Sequence, residues 1–170
     1  VAFGQSVKRA AIFHGLIIQV SDAESELLVR APENMRCSEA DRKILGCLYV
    51  RRGYTADIPF KLHADDIATW SFTEFSICRG KTKSTGSCTL VRAEIREFDA
   101  RISKNSTKLA HLNADGVIDL TQLAPDLTEF VLHDQNSHRQ NYFYRITACK
   151  NGASPPKCAS LDPGVTNRGL

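Results

Sequence analysis

The chain has 170 residues, 42% of them hydrophobic and 24% charged, with 22 Lys and Arg against 19 Asp and Glu for a formal net charge of +3. That size fits a single domain over 1–170, and 10 Gly with 6 Pro are too few for a collagen-like or low-complexity chain. No run reaches the roughly 18 to 20 apolar residues of a membrane helix, so no membrane span is expected. So small a charge surplus does not announce a strongly basic nucleic-acid binder, and no nucleic-acid partner is expected.

In chain order, the opening 1–9 lacks an apolar h-region ahead of a small-residue cleavage site, so a secreted form would already have lost its leader. The dibasic Lys8-Arg9 has the character of a kexin-type processing site, which would make 1–9 a pro-segment remnant, and Leu27-Leu28-Val29-Arg30 offers a second. Lys8-Arg9 is the better cut, because cleavage after Arg30 discards a good apolar strand. Ile12, His14, Leu16, Ile18 and Val20 alternate in period two, residues 21–25 break the run, and 26–30 resume it, which predicts a hairpin with His14 on its core side. Ser38 and Asp41 before Ile44, Leu45 and Gly46 resemble a capped helix of about two turns.

Further strands are expected at 44–51, 57–63, 69–78, 88–102, 116–123, 127–133 and 141–149, each bounded by Gly, Pro, Asn or Asp. Within 88–102 the apolar parity switches between Ile95 and Phe98, which predicts a bulge or bend near Arg96-Glu97. The fold class is therefore all-β, a barrel or sandwich of about eight to ten mainly antiparallel strands with at most one or two short helical turns. Asn113-Ala114-Asp115-Gly116 lacks the regular acids of a calcium loop and predicts a hairpin turn. Residues 159–170 have no apolar period and are expected to form a strap or frayed tail.

The 6 cysteines fall as Cys37 and Cys47, Cys78 and Cys88, and Cys149 and Cys158. Each couple brackets a short segment, which suggests three local disulfides and an oxidising, extracellular compartment, although other connectivities stay formally open. The loops 79–87 and 150–157 are turn-rich and can close on themselves. The segment between Cys37 and Cys47 cannot be helical throughout and also bonded, since about 15 Å would then separate ends that a disulfide holds within about 7 Å. No couple has the close spacing of a zinc site, and no metal or cofactor is expected. Asn105-Ser106-Thr107 is a glycosylation sequon.

No catalytic motif survives inspection. Gly80-Lys81-Thr82 lacks the upstream glycine of a phosphate-binding loop, because position 75 is Phe75. His133 with His138, and His63 near Asp65 and Asp66, offer acid-base groups only if the fold gathers them, and read as surface or loop histidines. Arg92, Glu94 and Arg96 alternate on one strand face, a weak pointer to a secreted ribonuclease-like enzyme. Trp70, Tyr54, Tyr142 and Tyr144 are the sugar-stacking candidates of a carbohydrate-binding module, which with a protease inhibitor forms the competing class. The favoured binding residues are exposed loop cations beside a tyrosine: Arg51, Arg52 and Tyr54, with Arg79, Lys81 and Lys83 on a loop pinned by Cys78 and Cys88.

A small β domain with 6 cysteines, a kexin-type Lys8-Arg9 or Leu27-Leu28-Val29-Arg30 site before the first of them, and no enzyme motif resembles the cysteine-stabilised effectors and necrosis-inducing toxins of plant-pathogenic fungi. The resemblance lies in the organisation of the chain. It implies secretion with a pro-segment, a role in virulence, and action by binding a host protein or receptor without catalysis.

Overall fold

The computed structural model describes residues 9–12, 16–21, 26–30, 48–63, 70–80, 95–155, 157–161 and 164–168. Its strands in chain order are β1 (Arg9–Ile12), β2 (Leu16–Ser21), β3 (Glu26–Arg30), β4 (Leu48–Val50), β5 (Tyr54–His63), β6 (Trp70–Arg79), β7 (Phe98–Arg101), β8 (Leu109–His111), β9 (Val117–Asp119), β10 (Glu129–Asp134), β11 (Arg139–Lys150), β12 (Lys157–Leu161) and β13 (Gly164–Arg168). Helical backbone among the described residues is confined to Ile95 and the 3-10 turn Leu120–Gln122, which the Asp119 side chain caps through the Thr121 amide. The all-β expectation holds, as two open sheets in place of a closed barrel.

The first sheet runs β3-β2-β5-β10-β7-β8, with β1 also on β5. β5 shows why this sequence makes this strand. Ala56, Ile58, Phe60 and Leu62 are buried, while Asp57, Pro59, Lys61 and His63 alternate with them on the other face. Pro59 stands in the middle of an interior strand, where proline normally forfeits a ladder bond. Here β1 pairs with Tyr54 to Asp57 and β2 with Phe60 to His63, both in parallel. Pro59 falls in the gap between them, where no strand among the described residues requires the N–H that proline lacks. The hairpin expected from the first alternation is present as β2 and β3, antiparallel from Ile17 opposite Arg30 to Ser21 opposite Glu26.

The second sheet runs β4-β13-β11-β6-β9, with β12 also on β11. It faces the first through one core in which Phe60 stacks on Phe130 at 5.0 Å between centroids and meets the edge of Tyr144 at 6.0 Å. Phe72 meets Phe130 at 5.1 Å and Phe98 meets Tyr142 at 5.3 Å, so both ends of the interface are aromatic. β6 reverses its burial phase, with Trp70 and Phe72 inward at one end and Phe75 and Ile77 inward at the other. The pairing explains this, since Thr147 opposes Glu74 and Ala148 opposes Phe72, leaving Thr73 as the extra residue of a bulge. The phase break expected at Arg96-Glu97 has a different cause. Ile95 is helical, and Arg96 and Glu97 form a turn from which β7 starts, with Phe98 and Ala100 buried.

Two further expectations are corrected. Asn113 to Gly116 is a turn, closed by the Asn113 side chain accepting from the Asp115 and Val117 amides. It joins β8 of one sheet to β9 of the other and so is no hairpin. The tail contributes β12, antiparallel to one half of β11, and β13, which lies between β11 and β4.

Cys149 and Cys158 are bonded, directly opposite one another on β11 and β12 with 4.1 Å between their Cα atoms. Cys78 is also disulfide-bonded. Cys37, Cys47 and Cys88, and with them the proposed Cys37–Cys47 and Cys78–Cys88 pairs, lie outside the described residues, as do His14 and the helix candidate at 38–46. Closing the 149–158 loop constrains the unfolded chain, so Cys149→Ala/Cys158→Ala is expected to lose about 2.5–3 kcal/mol. Urea unfolding of the oxidised and substituted proteins measures the difference.

Candidate functional site

Three loops meet at one end of the two sheets: 51–54 leading into β5, 95–97 leading into β7, and 135–138 leaving β10. The last of these is tied to both others. Asn136 is fully buried, and its Nδ2 donates to the carbonyls of Arg51 at 2.8 Å and Tyr54 at 2.9 Å. On the other side the Gln135 amide donates to the Glu97 carbonyl at 2.8 Å, and the Ser137 amide to Glu97 Oε1 at 2.6 Å. Asn136 itself sits at φ 48°, a left-handed conformation that asparagine tolerates better than most residues, with its amide bonded to Asp134 Oδ1 at 2.8 Å. Gly53, at φ 82°, makes the corresponding turn in the first loop.

This stitching sorts the charges. Glu97 and Asp134, the two carboxylates of this end among the described residues, are 1% and 0% exposed and accept from backbone amides. Arg51, Arg52, Arg96, His138 and Arg139 are all exposed. Arg51, Arg96 and Arg139 form no ion pair among the described residues. The end therefore presents cations to solvent with no exposed carboxylate of the described residues beside them, a local imbalance that a net charge of +3 conceals. Arg139 opposes Arg168 in the β11–β13 ladder, and Val50 opposes Asn167 on β13, so on this side β11 and β13 end in arginine and β4 is followed by Arg51.

The binding residues expected from sequence are only partly gathered. Arg51 and Arg52 are exposed neighbours on the first loop, but Tyr54 is half-buried against the core. Arg79 ends β6 opposite Tyr142, on the face that buries Phe75 and Ile77, and is half-buried. Lys81 and Lys83 lie outside the described residues. Sequence reasoning did not nominate Arg96, His138 and Arg139 for binding. Their signal was weak, since basic residues distant in sequence converge only once Glu97 has bonded the 135–138 loop.

The competing expectations fare differently. Trp70, Tyr142 and Tyr144 are buried at 2% exposure or less and offer sugars no stacking face; burial also pushes the Tyr144 phenol well above its ordinary pKa. Arg92 and Glu94 lie outside the described residues, and Arg96 stands in a turn instead of on a strand face. His133 is no loop histidine: it lies on β10 with Nδ1 at 2.7 Å from Asp57 Oδ1. His138 is exposed in the 135–138 loop and His63 exposed at the end of β5, while Asp65 and Asp66 lie outside the described residues. Among the described residues no three His, Cys, Asp or Glu side chains form a group able to hold a metal.

Asn105 is exposed in the turn after β7. Arg9 opens β1 opposite Tyr54 and Arg30 closes β3 opposite Ile17, whereas Lys8 lies outside the described residues. A cut after Arg30 would strip β1, β2 and β3 from the first sheet, including the parallel partners of β5. No protein-family model matches this chain and no curated protein is found as a relative, which leaves the chemistry of the cationic end as the guide to function.

Proposed function

We propose that the protein is a secreted, disulfide-stabilised β domain that acts by binding, through the Arg51, Arg52, Arg96 and Arg139 end, an acidic face of a partner protein. In the terms of the resemblance to fungal effectors, that partner is a host protein or receptor. The observation that carries the reading is the segregation of charge, with Arg51, Arg96 and Arg139 exposed and outside any ion pair among the described residues, over two buried carboxylates on three hydrogen-bonded loops. Guanidinium groups suit carboxylate partners because they bond in a planar, two-pronged geometry. Loops held in place before binding avoid adding their own ordering cost, about 0.5–1.5 kcal/mol for each long side chain being cost enough. The Cys149–Cys158 bond and the bonded Cys78 support an oxidising compartment.

Arg51→Glu/Arg139→Glu is expected to weaken binding to a fluorescent polyglutamate peptide, used as the probe of an acidic face, by about tenfold or more while stability stays within about 0.5 kcal/mol. Wild-type affinity should fall as salt rises. The same substitutions should abolish cell death on infiltration into plant tissue. Unchanged peptide affinity in the double variant would discard this end as the site.

A further inference from the structure

The outer face of the first sheet carries a row of titratable side chains that the binding reading does not use. Register places Asp57 on β5 opposite His133 on β10, His133 opposite Asp99 on β7, and Asp99 opposite His111 on β8. The next row along the strands, Ile58, Leu132, Ala100 and Ala110, is buried in the core, so the four polar residues share the opposite face. Arg101 stands on that same face two residues beyond Asp99, which it grips with Nη2 at 2.8 Å and Nε at 3.3 Å from one oxygen. The side chains of Asp57, His133, Asp99 and Arg101 are 20% exposed or less, where charge interacts more strongly than in open water. His111 is exposed.

Each member has a defined chemical capacity. The carboxylate of Asp57 engages Nδ1 of His133, which fixes the tautomer and leaves Nε2, unpartnered among the described residues, as the proton acceptor. Asp99 holds the Arg101 guanidinium through Nε and Nη2, leaving the Nη1 protons for an oxyanion. His111 stands two strand spacings or about 10 Å from His133, and its side chain makes no hydrogen bond among the described residues and can give or take a proton. The row holds no serine, threonine or cysteine, so a nucleophile must come with the substrate. Arg96, exposed and outside any ion pair among the described residues, lies three residues before Asp99 in the turn that leads into β7, and offers a second cation to a neighbouring anionic group of a polymer.

We infer that this row is an acid-base site for single-stranded RNA, a polymer that brings both a ribose 2′-hydroxyl and the phosphodiester it attacks. His133 Nε2 takes the 2′-hydroxyl proton, and the 2′-oxygen bonds to phosphorus. Arg101 offsets charge on the non-bridging oxygens while the bond from phosphorus to the 5′-oxygen breaks. His111, protonated, gives its proton to the departing 5′-oxygen. The products are a 2′,3′-cyclic phosphate and a 5′-hydroxyl; exchange with solvent restores both imidazoles, and no redox partner is involved. The inference goes beyond partner binding and does not depend on it. It also departs from the expectation of no nucleic-acid partner, because the placement of Arg101 and Arg96 decides what net charge cannot.

The test uses the purified chain and a 5′-labelled single-stranded RNA, with the same strand carrying a 2′-deoxy sugar at the main cleavage position as control. Cleavage to a cyclic phosphate is expected, with none at the deoxy position. His133→Asn and His111→Asn, purified identically, should each lose at least about 100-fold in rate. Asp57→Asn, a positioning change, should lower kcat about 10- to 100-fold with KM unchanged. Lys61→Ala, on the same face but off the row, should cleave as the wild type does. His111 is exposed, so its variant stays informative should His133→Asn fail to fold. Absence of cleavage by the wild type, cleavage by both histidine variants equal to that of the wild type, or cleavage at the deoxy position would overturn the site. Loss of polyglutamate binding with RNA cleavage intact, or the reverse, separates the fate of this inference from that of the binding reading.

Discussion

Phe60→Ala is expected to lower stability by about 3–5 kcal/mol, a large share of the roughly 5–15 kcal/mol a domain typically has. Phe60 is 1% exposed and sits where the two sheets meet, touching the rings of Phe130 on its own sheet and of Phe75 and Tyr144 on the other. Alanine would remove the ring that spans the interface and leave a void lined by three aromatics that their own strands hold in place. Urea titration should show a lower midpoint with an unchanged slope. The neighbouring Lys61 points outward, where it pairs with Glu129 at 3.4 Å, both side chains more than half exposed. Lys61→Ala should therefore change stability by no more than about 0.5–1 kcal/mol. Equal effects at the two positions would mean that the alternation of β5 is misassigned.

Asn136 is the second position where a large effect is expected. Asn136→Ala removes two hydrogen bonds to the Arg51 and Tyr54 carbonyls and places a residue with a Cβ and no compensating side chain at φ 48°. Unsatisfied acceptors cost about 1–3 kcal/mol each and the left-handed conformation about 1–2 kcal/mol. The Arg51 carbonyl keeps the Tyr54 amide as a donor at 3.2 Å. The expected loss is therefore about 3 kcal/mol and not the full sum. Asn136→Asp is nearly isosteric and still tolerates the backbone, yet it aims an oxygen at two carbonyl oxygens. It should be at least as damaging as alanine, while Asn136→Gly, which relieves only the backbone, should fall between alanine and wild type. Thermal unfolding of the three variants decides the order. Aspartate behaving like wild type would remove the side-chain amide from its assigned role.

How far the fold was legible follows from where its strands get their partners. β5, β6, β10 and β11 were readable because each buries one face and so alternates in sequence. β6 even carried two phases, though the bulge at Thr73 went unremarked while one was sought at Arg96-Glu97, where the chain turns. β8 and β9 have three residues each, too short for a period to register. β13, Gly-Val-Thr-Asn-Arg, has a single apolar residue and is a strand because β11 and β4 offer backbone partners on both sides. The candidate sites were less legible for the same reason. Arg51 and Arg52 adjoin in sequence, but Arg96 and Arg139 reach them only through bonds made by Glu97 and Asn136. Asp57 and His133 face each other only through the β5–β10 register.

The place of β13 has a consequence for how the chain is born. Its five residues sit as a wedge between β4 and β11, so β4 reaches the second sheet only through the last strand described. On the opposite sheet, β1 and β2 precede β5 in the chain and must wait for it before their parallel ladders can form. Native pairings therefore bridge long stretches of chain, a topology of high contact order that folds in milliseconds to seconds where helical proteins take microseconds. The second sheet cannot be completed until residue 168 has been synthesised. A chain cut short before residue 164 should leave β4 without its neighbour and β11 with a bare edge, the kind of unpaired strand that seeds aggregation.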